Sequence, residues 1–180
     1  GQDHLDLRQA FPRGTPYVGV DRITGPGVDR QADLFDVEAM TAVVRDVKPE
    51  TFLCLYTIEH VWDIVGAARA LGEIWRTCQE SWLWVSTHQN QPYDGTEHYP
   101  DYWRVTKTSM RRLFEEAGVV GAHILTHPNT SNPEDVIMVR QPASNPWPDD
   151  LFCKALRTVR DRWDESGHRQ GTSGANGPTD

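Results

Sequence analysis

The feature that most constrains the fold is a nearly continuous apolar strand, TFLCLYT, at Thr51–Thr57. A strand without polar alternation is typical of a parallel sheet covered on both faces. Apolar residues recur at helical spacing on both sides of it, over Val37–Val47 and from Trp62 to Cys78. SWLWVST at Ser81–Thr87 then predicts another strand. This strand and helix order predicts an α/β fold with a mainly parallel sheet.

Shorter elements extend this pattern at both ends. Tyr17–Val20 is a β-prone run, and Val28–Asp33 is a second extended piece, but the link between them is short for a parallel crossover. The second piece is therefore either an irregular edge segment or not a strand at all. A third helix starts at Thr106 or Thr108 and ends at Gly118. Two final strands, AHILT and DVIMVRQ, are joined by a turn-rich segment, which favours an antiparallel pair.

Composition limits the classes of partner. The 180 residues suit one domain with a substantial core, and the formal charge of −8 gives no general attraction for nucleic acid. No apolar run approaches the roughly 18 residues of a membrane span. Three scattered cysteines without CxxC spacing favour a reducing, cytoplasmic environment and give no structural zinc site.

Two acids follow the first strand-like pieces. Asp21 comes directly after Tyr17–Val20, where a carboxylate can accept hydrogen bonds from both hydroxyls of a ribose. A turn-forming aspartate before the Gly-Pro-Gly sequence explains it equally well. Asp33 can meet the amino edge of an adenine or be a simple loop acid, and Asp36 is interpreted as a helix cap. Asp29 has no predicted role.

Glu59 and His60 follow the central strand. Histidine is the side chain best suited to proton transfer near neutral pH, so His60 is a candidate base and Glu59 its orienting partner. The alternative is that both residues only open the next helix, with Asp63 as its cap. The spacing does not fit a metal site.

Aromatic residues and a cation fill the end of the long segment after the SWLWVST strand. Tyr102, Trp103 and Arg104 can wall a substrate pocket. It is equally possible that the two aromatic rings pack this segment onto the sheet and that Arg104 pairs with an acid.

Together these segments resemble class I S-adenosylmethionine-dependent methyltransferases, in particular the type-11-like group. The resemblance covers roughly residues 1–140. It rests on YVGVD with GPGVDRQAD, on FLCLYTIEHVWD, on DYWRVTKTSMRRLFEEAG and on the final strand pair.

The resemblance implies a Rossmann-like fold and methyl transfer from S-adenosylmethionine to a small-molecule or metabolite acceptor. Asp21, with Arg22 beside it, would bind the ribose, Asp33 and Leu34 would flank the adenine, and Tyr56 and Thr57 would line the cleft. Gly1 would be the last glycine of the loop that holds the methionine part. His60 with Glu59 would take a proton from the acceptor, although alignment alone can be sufficient for methyl transfer.

The family's first strand would precede Gly1 and lie between the strands at Tyr17 and Thr51, so it is expected to be missing from this sequence. The predicted organisation is a truncated methyltransferase-like domain at 1–141, an amphipathic helix at 142–165 and a disordered tail at 166–180. The rival interpretations are a nicotinamide-dependent oxidoreductase, which also needs an acid after its second strand, and a non-catalytic remnant of the fold.

Overall fold

The computed structural model describes residues 8, 11, 13–89, 100–126 and 135–140. Strands and helices alternate through this part of the chain. In chain order they are β1 (Val20–Asp21), β2 (Arg30–Gln31), α1 (Val37–Val47), β3 (Thr51–Leu55), a 3-10 turn (Ile58–His60), α2 (Ile64–Arg76), β4 (Trp82–His88), α3 (Lys107–Glu116), β5 (His123–Thr126) and β6 (Asp135–Arg140). The predicted α/β order is confirmed.

The predicted cap at Asp36 is confirmed, and the third helix begins at Lys107 with Thr106 as its cap. The carboxylate of Asp36 accepts the N–H of Ala39 at 2.9 Å, and the hydroxyl of Thr106 accepts the N–H of Ser109 at 3.2 Å. Each bond satisfies a first-turn donor that has no partner within the helix. Gly118 follows α3 at φ +81, a left-handed conformation that favours glycine.

Four strands form one sheet in the order β3-β4-β6-β5. β3 and β4 are parallel, and their register runs from Thr51 opposite Trp82 to Leu55 opposite Ser86. β6 is antiparallel to both β4 and β5. The predicted combination of parallel strands with a closing antiparallel pair is therefore present, and it is compatible with a Rossmann-like fold.

β1 and β2 form a separate parallel pair of two residues each, with Val20 opposite Arg30. The short link of residues 22–29 closes because of Gly19, whose added Cβ would lie only 1.8 Å from the carbonyl oxygen of Gly27. The carbonyl oxygen of Gly19 itself accepts hydrogen bonds from the N–H groups of Asp29 and Arg30. A very short ladder thus forms without the long crossover that longer parallel strands need.

Helices α2 and α3 cover one face of the four-stranded sheet. Leu71 and Phe114 from these helices are fully buried, and they share one core cluster with Leu83, Val85 and Met138 of the sheet. The opposite face of the sheet carries a second buried cluster. Its members are Trp82, Trp84, Ile137 and Val139.

Helix α1 connects the two sheets. Met40 and Val44 are buried against Ile74 of α2, and both Val20 of β1 and Phe52 of β3 pack on this cluster. The strand pair β1-β2 is thereby held beside β3 without a shared backbone ladder between the described strands.

Strand β3 is less buried than its continuous apolar sequence predicts. Of its five residues, Cys54 is buried, Thr51 is exposed and the other three are half-buried. The six residues Trp82–Thr87 of the neighbouring strand β4 are all buried. The difference arises because β3 ends the four-stranded sheet and has a strand on one side only in the described part of the chain.

Gly1 and the predicted segments 142–165 and 166–180 lie outside the described residues. None of the described helices combines the length and the apolar character that a bilayer crossing requires.

Candidate functional site

The carboxyl ends of β3 and β4 bring Tyr56 and His88 together. Tyr56 has the left-handed φ of +49°, and its N–H still donates to the carbonyl of Ser86 at 3.1 Å. Its ring stacks on the imidazole of His88, with 4.8 Å between ring centroids and 27° between planes. A non-glycine residue in this conformation costs on the order of 1–3 kcal/mol and is often found at functional sites. The backbone therefore holds the Tyr56 ring against His88.

Thr57 follows Tyr56 and is exposed, and its hydroxyl donates to the carbonyl of Leu55 at 3.0 Å. Both predicted cleft residues, Tyr56 and Thr57, thus lie just beyond the carboxyl end of β3. This is the edge at which open α/β sheets bind their ligands.

Glu59 points into the protein from the 3-10 turn. Its side chain is fully buried, and neither carboxylate oxygen has a hydrogen-bond partner among the residues described. Oε1 lies 3.8 Å from Nε2 of His88, within ion-pair range but beyond a hydrogen bond. Burial raises the pKa of the Glu59 carboxyl, and the charges of His88 and His60 oppose this rise.

His60 is held by a different partner from the one predicted. Its Nδ1 lies 3.1 Å from the carbonyl oxygen of Pro100. Because a carbonyl only accepts, Nδ1 carries the proton in this contact. Pro100 therefore orients the His60 ring, and the Glu59 side chain lies against His88. The pairing of His60 with Glu59 stays a prediction.

The segment 100–105 is hydrogen-bonded to the chain that follows β3 and to the end of β4. The N–H of Tyr102 donates to the carbonyl of Glu59 at 2.8 Å, and the indole of Trp103 donates to the carbonyl of Val61 at 2.8 Å. The N–H of Val105 donates to the carbonyl of His88 at 3.0 Å. These bonds fix the 3-10 turn and the end of β4 relative to each other.

Arg104 is engaged within the same segment. Its guanidinium forms a two-bond ion pair with Asp101, whose side chain is fully buried. The alternative in which Arg104 pairs with an acid is thus the one the structure shows. The guanidinium neutralises a charge that would otherwise be costly to bury.

An open groove of about 470 Å³ lies at the start of α2. It is lined by Trp62, Asp63, Ile64, Val65 and Trp103. Trp62 is 72% exposed, and its ring lies 5.4 Å from that of Tyr102 and 6.0 Å from that of Trp103. Tyr102 and Trp103 therefore belong to an aromatic surface in which the unpredicted Trp62 is central. Asp63 also caps α2 by accepting the N–H of Gly66 at 2.8 Å.

Asp21 ends β1 and is half-buried. Its Oδ1 accepts the N–H of Ile23 at 2.9 Å, as a turn-forming aspartate does. A carboxylate offers about four acceptor positions, so this bond is compatible with a ribose contact. Neighbouring Arg22 is exposed, and its carbonyl accepts the side-chain amide of Gln31 at 2.9 Å.

Asp33 and Leu34 follow β2. Asp33 is exposed, and its Oδ1 accepts the N–H of Phe35 at 2.9 Å, whereas Leu34 is half-buried against the core. Phe35 is 47% exposed directly beside them. An exposed apolar ring at this position adds a surface on which a purine can stack, and the sequence analysis did not identify it.

Asp29 has a clear structural role that the sequence analysis missed. Its carboxylate accepts the N–H of Gly19 at 2.8 Å and forms an ion pair with Arg8. The hydrogen bond from Gly19, together with the charge of Arg8, lowers the pKa of Asp29. Spacing along the sequence contains no signal for this contact, because it depends on the tight turn between β1 and β2.

His88 is a further residue that was not predicted from the sequence. It directly follows the predicted strand Ser81–Thr87, so the rule that ligands bind beyond carboxyl strand ends could have identified it. In the described part of the chain, no three histidine, cysteine or acidic side chains are grouped as a metal site requires.

No family model and no curated protein matches the chain. Among solved structures, the chain is similar to the N-terminal domain of EvdMO1, crystallised in the presence of SAH and D-fucose. The two are 14% identical with a TM-score of 0.37, over 79% of this chain and 85% of that one. Function is therefore inferred from the residues of this chain.

Proposed function

We propose that the chain is an S-adenosylmethionine-dependent methyltransferase domain that acts on a small-molecule or metabolite acceptor. The observation that carries the proposal is the strand order β3-β4-β6-β5, in which the last strand is antiparallel and lies between β4 and β5. This closing hairpin is expected of the methyltransferase fold and not of a nicotinamide-dependent oxidoreductase.

The cofactor fits the residues at the carboxyl strand ends. Asp21, at the carboxyl end of β1, binds the ribose hydroxyls through its carboxylate. Leu34 and Phe35 give apolar contact for the adenine, and Asp33 lies at its edge. Tyr56 and Thr57 line the neighbouring part of the cleft.

S-adenosylmethionine supplies an electrophilic methyl group on a sulfonium sulfur when it is bound. The chain's own contribution is alignment and exclusion of water. The bonded segment 100–105 holds one wall of the cleft in place, and the aromatic groove around Trp62 and Trp103 receives the acceptor. The groove's two indole rings favour an acceptor with an apolar or ring-shaped part.

The test is ligand-induced thermal stabilisation of the 180-residue chain. A ligand that binds the folded state alone raises the unfolding temperature. We expect S-adenosylhomocysteine to raise it and NAD to leave it unchanged. Stabilisation by NAD alone would favour the oxidoreductase. Stabilisation by neither ligand, also after the family's first strand and glycine-bearing loop are added before Gly1, would favour the non-catalytic remnant.

The Asp21→Ala variant tests the ribose contact. Hydrogen bonds to a charged group contribute about 1.5–3 kcal/mol each, so the dissociation constant for S-adenosylhomocysteine should rise about tenfold or more. Asp36→Ala is the matched control, because Asp36 lies in the same acidic segment but caps α1. It should lower the unfolding temperature without weakening the ligand. Equal affinity losses in both variants would contradict the role of Asp21.

A further inference from the structure

We propose that Glu59 and His88 bind one shared proton near neutral pH and that this pair, rather than Glu59 with His60, is the proton-exchanging group of the candidate site. The inference concerns the protonation of the site and holds whichever ligand the site binds.

The burial of Glu59 is the first argument. A carboxylate removed from water without hydrogen bonds is strongly disfavoured unless a cation or a proton compensates it. The Glu59 side chain is fully buried, and neither oxygen makes a hydrogen bond of good geometry with a described residue. The backbone N–H of Glu59 and the hydroxyl of Thr87 oppose the rise of its pKa, but burial has the larger effect. The group therefore needs either its own proton or a protonated neighbour.

The position of His88 is the second argument. Its Nε2 is 3.8 Å from Glu59 Oε1, and its side chain is 15% exposed. A small movement brings the two atoms into hydrogen-bond contact, so a proton on either group is favourable to both. The His88 ring stacks on Tyr56, and the backbone of His88 is held by the hydrogen bond that the N–H of Val105 donates to its carbonyl oxygen.

In the described part of the chain, the titratable side chains of Cys54 and His60 interact with Glu59, and Asp135 of β6 occupies the position opposite His88 in the ladder. Burial raises the pKa of the Cys54 thiol to about 12, so Cys54 stays protonated at neutral pH. The ring of Tyr56 stacks on His88 through its face. His60 acts on Glu59 through its charge, but its Nδ1 is engaged by Pro100.

Three charge states follow for the pair. With two protons, the pair carries one positive charge. With one proton on either group, the net charge of the pair is zero. With no proton, Glu59 is a buried carboxylate whose charge nothing in the pair compensates. The neutral state should persist well above the ordinary histidine pKa of about 6.5, because losing the last proton exposes the full cost of burying Glu59.

The test is an NMR titration of the 180-residue chain that follows the ring nitrogens of His88 and the side-chain carboxyl carbon of Glu59. In the wild-type chain, both signals should change at shared inflection points, as coupled sites do. Two independent single-site curves would overturn the proposal. Binding of S-adenosylhomocysteine is measured separately, so failure of the pair and failure of the proposed function are distinguishable.

Variants assign the coupling. Glu59→Gln should lower the midpoint of His88 by about one pH unit or more. If that variant does not fold, His88→Gln gives the reciprocal result, an upward shift of the Glu59 carboxyl midpoint. His60→Gln is the matched control and should leave the His88 midpoint within about 0.3 units, a change far smaller than a close charge pair produces. A larger change in His60→Gln than in Glu59→Gln would assign the proton to His60 and overturn the proposal.

Discussion

At the scale of single residues, the acidic side chains of this chain differ because their surroundings differ. Asp29 is an exposed acid whose pKa is lowered by the hydrogen bond from Gly19, whereas burial raises the pKa of Glu59. Asp36 and Asp63 cap helices. Among the acids that the structure describes, only Glu59 combines full burial with a nearby imidazole, so it is the one on which pH should act most strongly.

The stability of the fold should depend on pH through Glu59. In the unfolded chain this carboxyl ionises near its ordinary pKa of 4.5, and in the folded chain it does so at a higher pH. The folded state therefore binds the proton more tightly, so the stabilising contribution is complete below about pH 4.5 and is lost as pH rises through the folded-state pKa. Glu59→Gln removes this dependence. The unfolding temperature of the variant minus that of the wild type should increase from pH 4.5 to 8.

The matched control for this prediction is Glu115→Gln, at an exposed position on α3. An exposed carboxyl is hydrated in both states, so this variant should follow the wild type across the same pH range. The prediction would be contradicted if the unfolding temperature of Glu59→Gln minus that of the wild type stayed constant or decreased as the pH rises.

At the scale of elements, close contacts between helices set the position of the site. Gly72 of α2 lies where an added Cβ would be 2.7 Å from the carbonyl oxygen of Ala117, just after α3. Arg76 of α2 donates to that same oxygen at 3.0 Å. The absence of a side chain at Gly72 thus lets the end of α3 approach α2, and α2 begins at the aromatic groove.

Gly72→Ala should destabilise the protein although alanine is the better helix former. The intrinsic helix preference favours alanine by roughly 1 kcal/mol, but overpacking against a backbone atom costs about 1–3 kcal/mol. We expect a net loss of about 1 kcal/mol in the free energy of unfolding, measured by urea denaturation.

The exposed neighbour Glu73→Ala is the control for helix preference, and it should change this free energy by less than about 0.5 kcal/mol. If Gly72→Ala were instead more stable than the wild type, the close approach of α3 would not be a constraint on the fold.

At the scale of the whole molecule, the unusual feature is the outer edge of β3. The strand is apolar enough to be central, yet among the described strands it pairs with β4 alone. The N–H of Tyr56 donates toward β4. Since successive N–H groups along a strand point to opposite sides, those of Leu53 and Leu55 point toward the edge that no described strand covers.

Hydrogen exchange measures this edge directly. The amides of Leu53 and Leu55 should exchange markedly faster than those of Cys54 and Tyr56, because exposed amides exchange without opening of the sheet. Equal protection of all four amides in the 180-residue chain would mean that a segment outside the described residues pairs with β3. The expectation that the first strand is missing would then need revision.

Local features were predictable from the sequence because their causes lie within a few residues. The apolar spacing of α1 and the caps at Asp36 and Thr106 needed only the period of a helix and its unpaired first-turn donors. The turn-rich composition before β6 likewise predicted an antiparallel pair. The candidate ligand residue Asp21 followed from the position of a strand end, whereas Tyr56 and Thr57 followed from the resemblance to methyltransferases.

The tertiary structure decided which side chains meet. Glu59 and His60 are adjacent in the sequence but point to different partners, because one faces the end of β4 and the other faces Pro100. Asp29 gained its contacts from a turn that only glycine allows, and Arg104 gained an ion pair with Asp101. The sequence by itself determined the order of the elements and their ends, since these depend on local hydrogen bonding and periodicity. The partners at the site depend on distances between strand ends, which exist only after the sheet has formed.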